Sequence, residues 1–149
     1  MRIEDEIKQV KFIDEFHKLT INLLFSGKWI SDMMNSHHKK YDITSQQYNV
    51  LRILRGQFPK VATVNLISTR MIDRMSNVSR LIDKLESKKL VERISCENDR
   101  RQVDITITTR GLDLLKTIDA TKSEVENKLE NLTVEEATML NNLLDKFRG

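Results

Sequence analysis

Residues 73–88 read DRMSNVSRLIDKLESK. Ser76, Asn77, Ser79, Arg80 and Lys84 gather short polar and cationic groups on a segment whose apolar residues, Val78, Leu81, Ile82 and Leu85, recur at helical spacing. Such side chains suit the major groove of a duplex. Arg reads guanine edges, Asn reads adenine edges, and Ser bonds to bases or phosphates. The plainer reading is that short polar groups near a helix start act only as caps. Further on, Asp99, Arg100 and Arg101 stand between LVERIS and VDITIT, two stretches that alternate apolar and polar residues as paired strands do. An arginine at the tip of such a hairpin suits a narrow minor groove, whose negative potential attracts it. Asp99 beside it makes sense as a partner that fixes the Arg101 guanidinium. The plainer reading there is an exposed turn with an incidental ion pair contributing about 0–1 kcal/mol.

Other chemistry finds little support. Cys96 is the one cysteine, which excludes an intrachain disulfide and a cysteine zinc cluster, and it reads as a small, partly buried hydrophobe. His37 and His38 are adjacent, so on a helix they point in different directions, and no HExxH pattern exists. The serines and histidines form no nucleophile, base and orienter set that would mark a hydrolase. No enzyme activity, metal or cofactor is expected.

The elements that must position these groups follow from periodicity and caps. A first long helix is predicted from about Ile7 to Asn35, with Phe12, Phe16, Leu19, Leu23 and Ile30 near one face and Glu4, Asp5 and Glu6 at its polar start. Thr44 and Gln47 make a capping box for a second helix carrying Tyr48, Leu51, Ile53 and Leu54 and ending at Gly56. A short third helix starts at Thr63, with Leu66, Ile67 and Met71 inward. The fourth is capped by Asp73 or Ser76. After a two-stranded hairpin, Thr108 or Thr109 caps a helix whose apolar positions run from Leu112 to Leu129. Thr133 with Glu136 then starts a last helix carrying Met139, Leu140, Leu143, Leu144 and Phe147. The fold class is mainly α with a small β hairpin, a winged helix-turn-helix flanked by long terminal helices.

Charge is distributed unevenly. From Lys60 to Gly111 there are eleven basic against seven acidic residues, a net of +4, while the rest of the chain nets −1. A polyanion would be steered to the middle third. No apolar run approaches the roughly 20 residues needed to cross a bilayer, and the N-terminal residues do not read as a signal peptide, so no membrane association and a cytoplasmic location are expected.

Residues 76–111, SNVSRLIDKLESKKLVERISCENDRRQVDITITTRG, resemble the MarR family of bacterial winged helix-turn-helix regulators. The resemblance implies a recognition helix over 76–89, a strand, wing and strand over 91–107, an Asp-x-Arg core at Asp99–Arg101 and a Thr-x-x-Gly ending at Thr108–Gly111. It implies one protomer over 1–149, with a DNA-binding lobe at 44–108 and dimerisation helices at 5–36 and 109–148. A homodimer on a roughly palindromic operator would follow. Ser76, Asn77, Ser79 and Arg80 would approach the major groove or its flanking phosphates, and Arg101, oriented by Asp99, would enter the minor groove. Separately, Lys84 and Lys88 are candidates for phosphate contact, tested by the salt slope of binding. Family members are commonly repressors relieved by small phenolic or lipophilic effectors, others respond to cysteine oxidation, and some activate. The effector pocket would lie between the dimer helices and the lobe, lined by Met33, Met34, Tyr48 and His17. Two departures stand out: Asp73 replaces a more usual apolar turn residue, and no cysteine lies near the first helix. A winged helix used for protein contacts is the alternative, and the basic patch argues against it.

Overall fold

The computed structural model describes residues 1–95 and 103–149. The long first helix is shorter at its start than its periodicity suggests. A single turn, α1 (Ile3–Glu6), is followed by irregular chain with Lys8 at φ 54°, and α2 (Glu15–Lys39) begins only after Asp14. The reason is local. The Asp14 carboxylate accepts a hydrogen bond from the His17 backbone N–H at 2.7 Å, a strong start signal in the middle of the apolar pattern. Phe12 therefore precedes the helix, and Glu4, Asp5 and Glu6 belong to α1 instead. At its other end α2 runs past Asn35 and carries His37 and His38, both buried, in its last turn.

Helix α3 (Ser45–Gln57) has the expected capping box: Thr44 accepts from the Gln47 N–H at 3.2 Å and Gln47 answers at 3.0 Å. It does not stop at Gly56, which is helical. It ends where Phe58, at ψ 135°, takes the extended backbone that a following proline favours. Strand β1 (Ala62–Thr63), two residues long, is too short to leave a period-two signal and was not expected. Thr63 then caps α4 (Val64–Arg70), as predicted. Helix α5 (Val78–Ser87) is capped by Asn77, and by neither Asp73 nor Ser76. Strands β2 (Val91–Ser95) and β3 (Val103–Ile107) pair antiparallel from Val91↔Ile107 to Ser95↔Val103. Ala62↔Ile105 adds β1 on the far side, so the described residues form a three-stranded sheet in the order β1-β3-β2 rather than a bare hairpin. Val50, Leu51, Leu54, Ile67, Ile82, Leu85 and Ile105 make the fully buried centre between these elements, and burial of each is worth about 1.5–3 kcal/mol.

Thr108 caps α6 (Thr109–Asp119) and ties it to the sheet: its N–H donates to Leu90 O at 3.1 Å and its hydroxyl to Lys89 O at 2.9 Å. The expected helix from Thr108 to Leu129 is two helices. A capping box of Ser123 and Glu126 starts α7 (Glu124–Leu129) afresh. The Thr133–Glu136 box starts α8 (Val134–Arg148) as read from the sequence. Helix α8 buries none of its residues, and its Leu143 and Phe147 are 57% and 71% exposed, as Phe16 on α2 is 79%. Among the described residues no helix is long and apolar enough to cross a membrane.

Candidate nucleic-acid interface

The outer surface of α5 is prepared by the turn before it. Asn49 of α3 accepts the Ile72 N–H at 2.9 Å, fastening the end of α4 to the core. Asp73 then accepts the Met75 N–H and the Ser76 hydroxyl, each at 3.0 Å. Those two bonds, the backbone one first, hold its carboxyl below the usual carboxylate range. This explains the polar residue where an apolar one would serve packing: Asp73 builds the turn rather than capping the helix. Asn77 finally accepts the Arg80 N–H at 3.1 Å and sets the first turn of α5.

The expected contact residues therefore divide. Ser79, Arg80 and Lys84 are exposed, and among the described residues neither cation has an ion pair. Ser76 has committed its hydroxyl proton to Asp73. The Asn77 oxygen is engaged by the backbone, so its amide faces outward chiefly as a donor, which weakens the paired donor and acceptor needed for adenine. Lys88 is not open either. Its ammonium bridges to the Asp42 carboxylate at 2.9 Å and to the Asp42 carbonyl, joining the end of α5 to the α2–α3 junction. Asp99, Arg100, Arg101 and Cys96 lie outside the described residues.

One part of this surface escaped the sequence reading. Asp83 shares the outer face of α5 with Arg80 and would repel phosphate. Arg93 on β2 reaches it at 2.5 Å and also pairs with Glu86. The bond to Asp83, and then the two carboxylate charges, hold the Arg93 guanidinium still more firmly charged. An acidic residue amid Ser79, Arg80 and Lys84 was the available signal that a partner had to exist.

A second concave region lies where α2 meets α3, a cavity of about 680 Å³ lined by Ile30, Met34, His38, Tyr48, Arg52 and Met71 among others. Of the expected lining residues, Met34 and Tyr48 are there, but Met33 and His17 are not. The His17 ring is engaged at the start of α2, accepting the Ile13 N–H at 3.3 Å. His38 was weighed in the sequence only as a metal ligand, and its burial was not anticipated. It is 1% exposed, stacks on Tyr48 with ring centroids 4.1 Å apart, and places Nδ1 3.0 Å from Ser45 Oγ. Burial, helped by His37, pushes its pKa down to about 4. Arg52 donates to Tyr48 Oη at 3.0 Å, and Arg55 pairs with Asp119 of α6 at 2.6 Å.

This geometry has known counterparts. Residues 41–102 match the model of the MarR family. The HTH-type transcriptional regulator MhqR of Bacillus subtilis is 29% identical over 132 residues, covering 87% of this chain and 88% of its own. The HTH-type transcriptional regulator PecS of Dickeya dadantii is 30% identical over 112 residues, 72% of this chain and 66% of its own. Among solved structures, a mutant MarR from E. coli complexed with operator DNA superposes with a TM-score of 0.77 at 24% identity, covering 93% of this chain and 99% of that one. A MarR transcription factor from Planctomyces limnophilus gives 0.68 at 27% identity, covering 91% and 98%.

Proposed function

The chain belongs to the MarR family, and on that premise we propose that it is a sequence-specific DNA-binding regulator acting as a homodimer on a pseudo-palindromic operator. Its relatives are transcriptional regulators, not enzymes. The observation that carries the proposal is α5 itself. Val78, Ile82 and Leu85 anchor one face in the core, Asn77 fixes its start, and Ser79, Arg80 and Lys84 are exposed on the other, without ion pairs among the described residues. Helix α5 enters the major groove, Ser76 and Asn77 approach its flanking phosphates, and the wing residues Asp99, Arg100 and Arg101 serve the adjacent minor groove. Residues 44–108 form the DNA-binding lobe.

The uncovered apolar faces of α2 and α8 support dimerisation through 5–36 and 109–148, since a lone chain would leave Phe16, Leu143 and Phe147 in water. Two α5 helices then meet half-sites about one duplex turn apart. The proposed mode is repression relieved by a small lipophilic or phenolic effector in the cavity between α2 and α3, whose apolar walls and central Arg52 suit such a molecule.

The test is enrichment of duplexes from a random library by the purified chain, followed by titration across ionic strength. A two-fold symmetric consensus, with affinity falling steeply in salt as phosphate contacts release counterions, is expected. Monomers in sedimentation together with no sequence preference at low salt would refute it.

A further inference from the structure

We propose that Met75 is a sequence-reading residue, an apolar probe for the thymine methyl group at the edge of the recognised site. The inference rests on the regulator reading above and adds a base class to it. Met75 is 92% exposed. It is nonetheless placed, because its backbone N–H is held by Asp73 and the Ser76 N–H closes on the Asp73 carbonyl at 3.2 Å. Its side chain lines the same cleft as Ser76, Asn77, Arg80 and Lys84, at the start of α5. Neighbouring Ile72 lines the α2–α3 cavity instead, and Leu81, the other apolar residue lining the cleft, is half-buried against the core, so Met75 is the exposed apolar side chain of a surface that also carries Asp73 and the cations.

Chemistry selects the occupant. Arg74, Arg80 and Lys84 around it are cations without ion pairs among the described residues, which favours a polyanion over an apolar protein surface. The major groove of a polyanionic duplex offers one apolar group, the thymine C5-methyl. An unbranched, polarizable thioether adapts to a methyl whose position varies with local duplex shape. Hydrogen bonding cannot be the role, since the side chain is at best a weak acceptor.

The experiment takes the duplex enriched by the full chain and replaces each thymine in turn by deoxyuridine, which removes only the methyl. Affinities are measured for the native chain and for Met75→Ala. One thymine per half-site is expected to cost the native chain about fourfold on losing its methyl, the worth of one buried CH₂, and to cost M75A less than about twofold. Equal losses for both proteins at every thymine, or no loss at any, would overturn the inference while leaving DNA binding intact. A chain that enriches no sequence overturns the regulator reading and this inference with it. The melting temperature of M75A monitors folding, and at this exposure it is expected to match that of the native chain.

Discussion

Replacing Gly111 by alanine adds one carbon at the tightest joint between the lobe and the C-terminal helices. An ideal Cβ there would stand 2.7 Å from Ile107 Cγ1 and closer still to the Leu90 carbonyl oxygen. The isoleucine can shift, but the carbonyl cannot easily do so, because it already accepts the Thr108 N–H. Relief must come from lifting the first turn of α6 off the sheet, which strains the bond from the Thr108 hydroxyl to Lys89 O and the cap on Gly111 N. Overpacking costs about 1–3 kcal/mol and a weakened cap about 1 more, against a helix-propensity gain of at most about 1. The net is a loss of about 1–3 kcal/mol, which at about 2–4 °C per kcal/mol for a chain of this size lowers the melting temperature by roughly 2–12 °C. The assay is thermal unfolding by circular dichroism at one fixed protein concentration, since the proposed dimerisation would make the midpoint concentration-dependent. Gly56, inside α3 with nothing within 4 Å of its virtual Cβ, is the control, and Gly56→Ala should stabilise by about 0.5–1 kcal/mol. A G111A chain that melts at or above the native temperature would refute the close-approach argument.

His38 predicts an acid-labile junction. Its folded pKa of about 4 lies below the ordinary 6.5, so the unfolded chain binds the proton more tightly. The stability it contributes is complete above about pH 6.5 and declines as pH falls toward 4, with a ceiling of about 3 kcal/mol. Urea titrations should show this slope in the native chain and a shallower one in His38→Asn. Arg93→Gln should change the melting temperature little, because exposed pairs contribute about 0–1 kcal/mol. It should weaken DNA binding a few-fold by baring Asp83, and a second change, Asp83→Asn, should restore affinity in a fluorescence-anisotropy titration. Lys84→Ala should lower the salt slope of binding by about 1, whereas Lys88→Ala, which frees Asp42 instead, should leave the slope nearly intact. Leu143→Glu should place an unpaired charge in the proposed dimer interface at a cost of at least about 3 kcal/mol, shifting sedimentation toward the monomer.

What the sequence disclosed follows where its signals were local. The caps at Thr44, Thr63 and Thr133 were readable because each hydroxyl needs only the N–H three residues on. The stripe Val78, Ile82, Leu85 was readable because it repeats. The breaks before α2 and α7 were not, because Asp14 and Ser123 interrupt a pattern that apolar spacing continues across. The same competition displaced the α5 cap to Asn77, since Asp73, Ser76 and Asn77 could each have served. Strand β1 gains its identity only by pairing with Ile105, far along the chain. The Arg93–Asp83 bridge and the buried His38 likewise depend on residues distant in sequence. The Thr-x-x-Gly ending was legible as a pattern, but its cause, the Leu90 carbonyl packed against Gly111, belongs to three dimensions.

A chain of contacts joins the cavity to the start of α5. Asn49, on the cavity wall, holds the Ile72 N–H, and Asp73 one residue on touches both the cavity and the cleft beside α5. Also on α3, Tyr48 stacks on His38 of α2 and accepts from Arg52, while Arg55 pairs with Asp119 of α6. A molecule entering between α2 and α3 would thus press on the turn that sets the start of α5 and on the contacts that set the lobe against the terminal helices. In the proposed dimer, either displacement would alter the spacing of the α5 pair. On the proposed reading of a regulator relieved by an effector, such a connection gives the chain a reason to commit Asp73, Ser76 and Asn77 to building the turn.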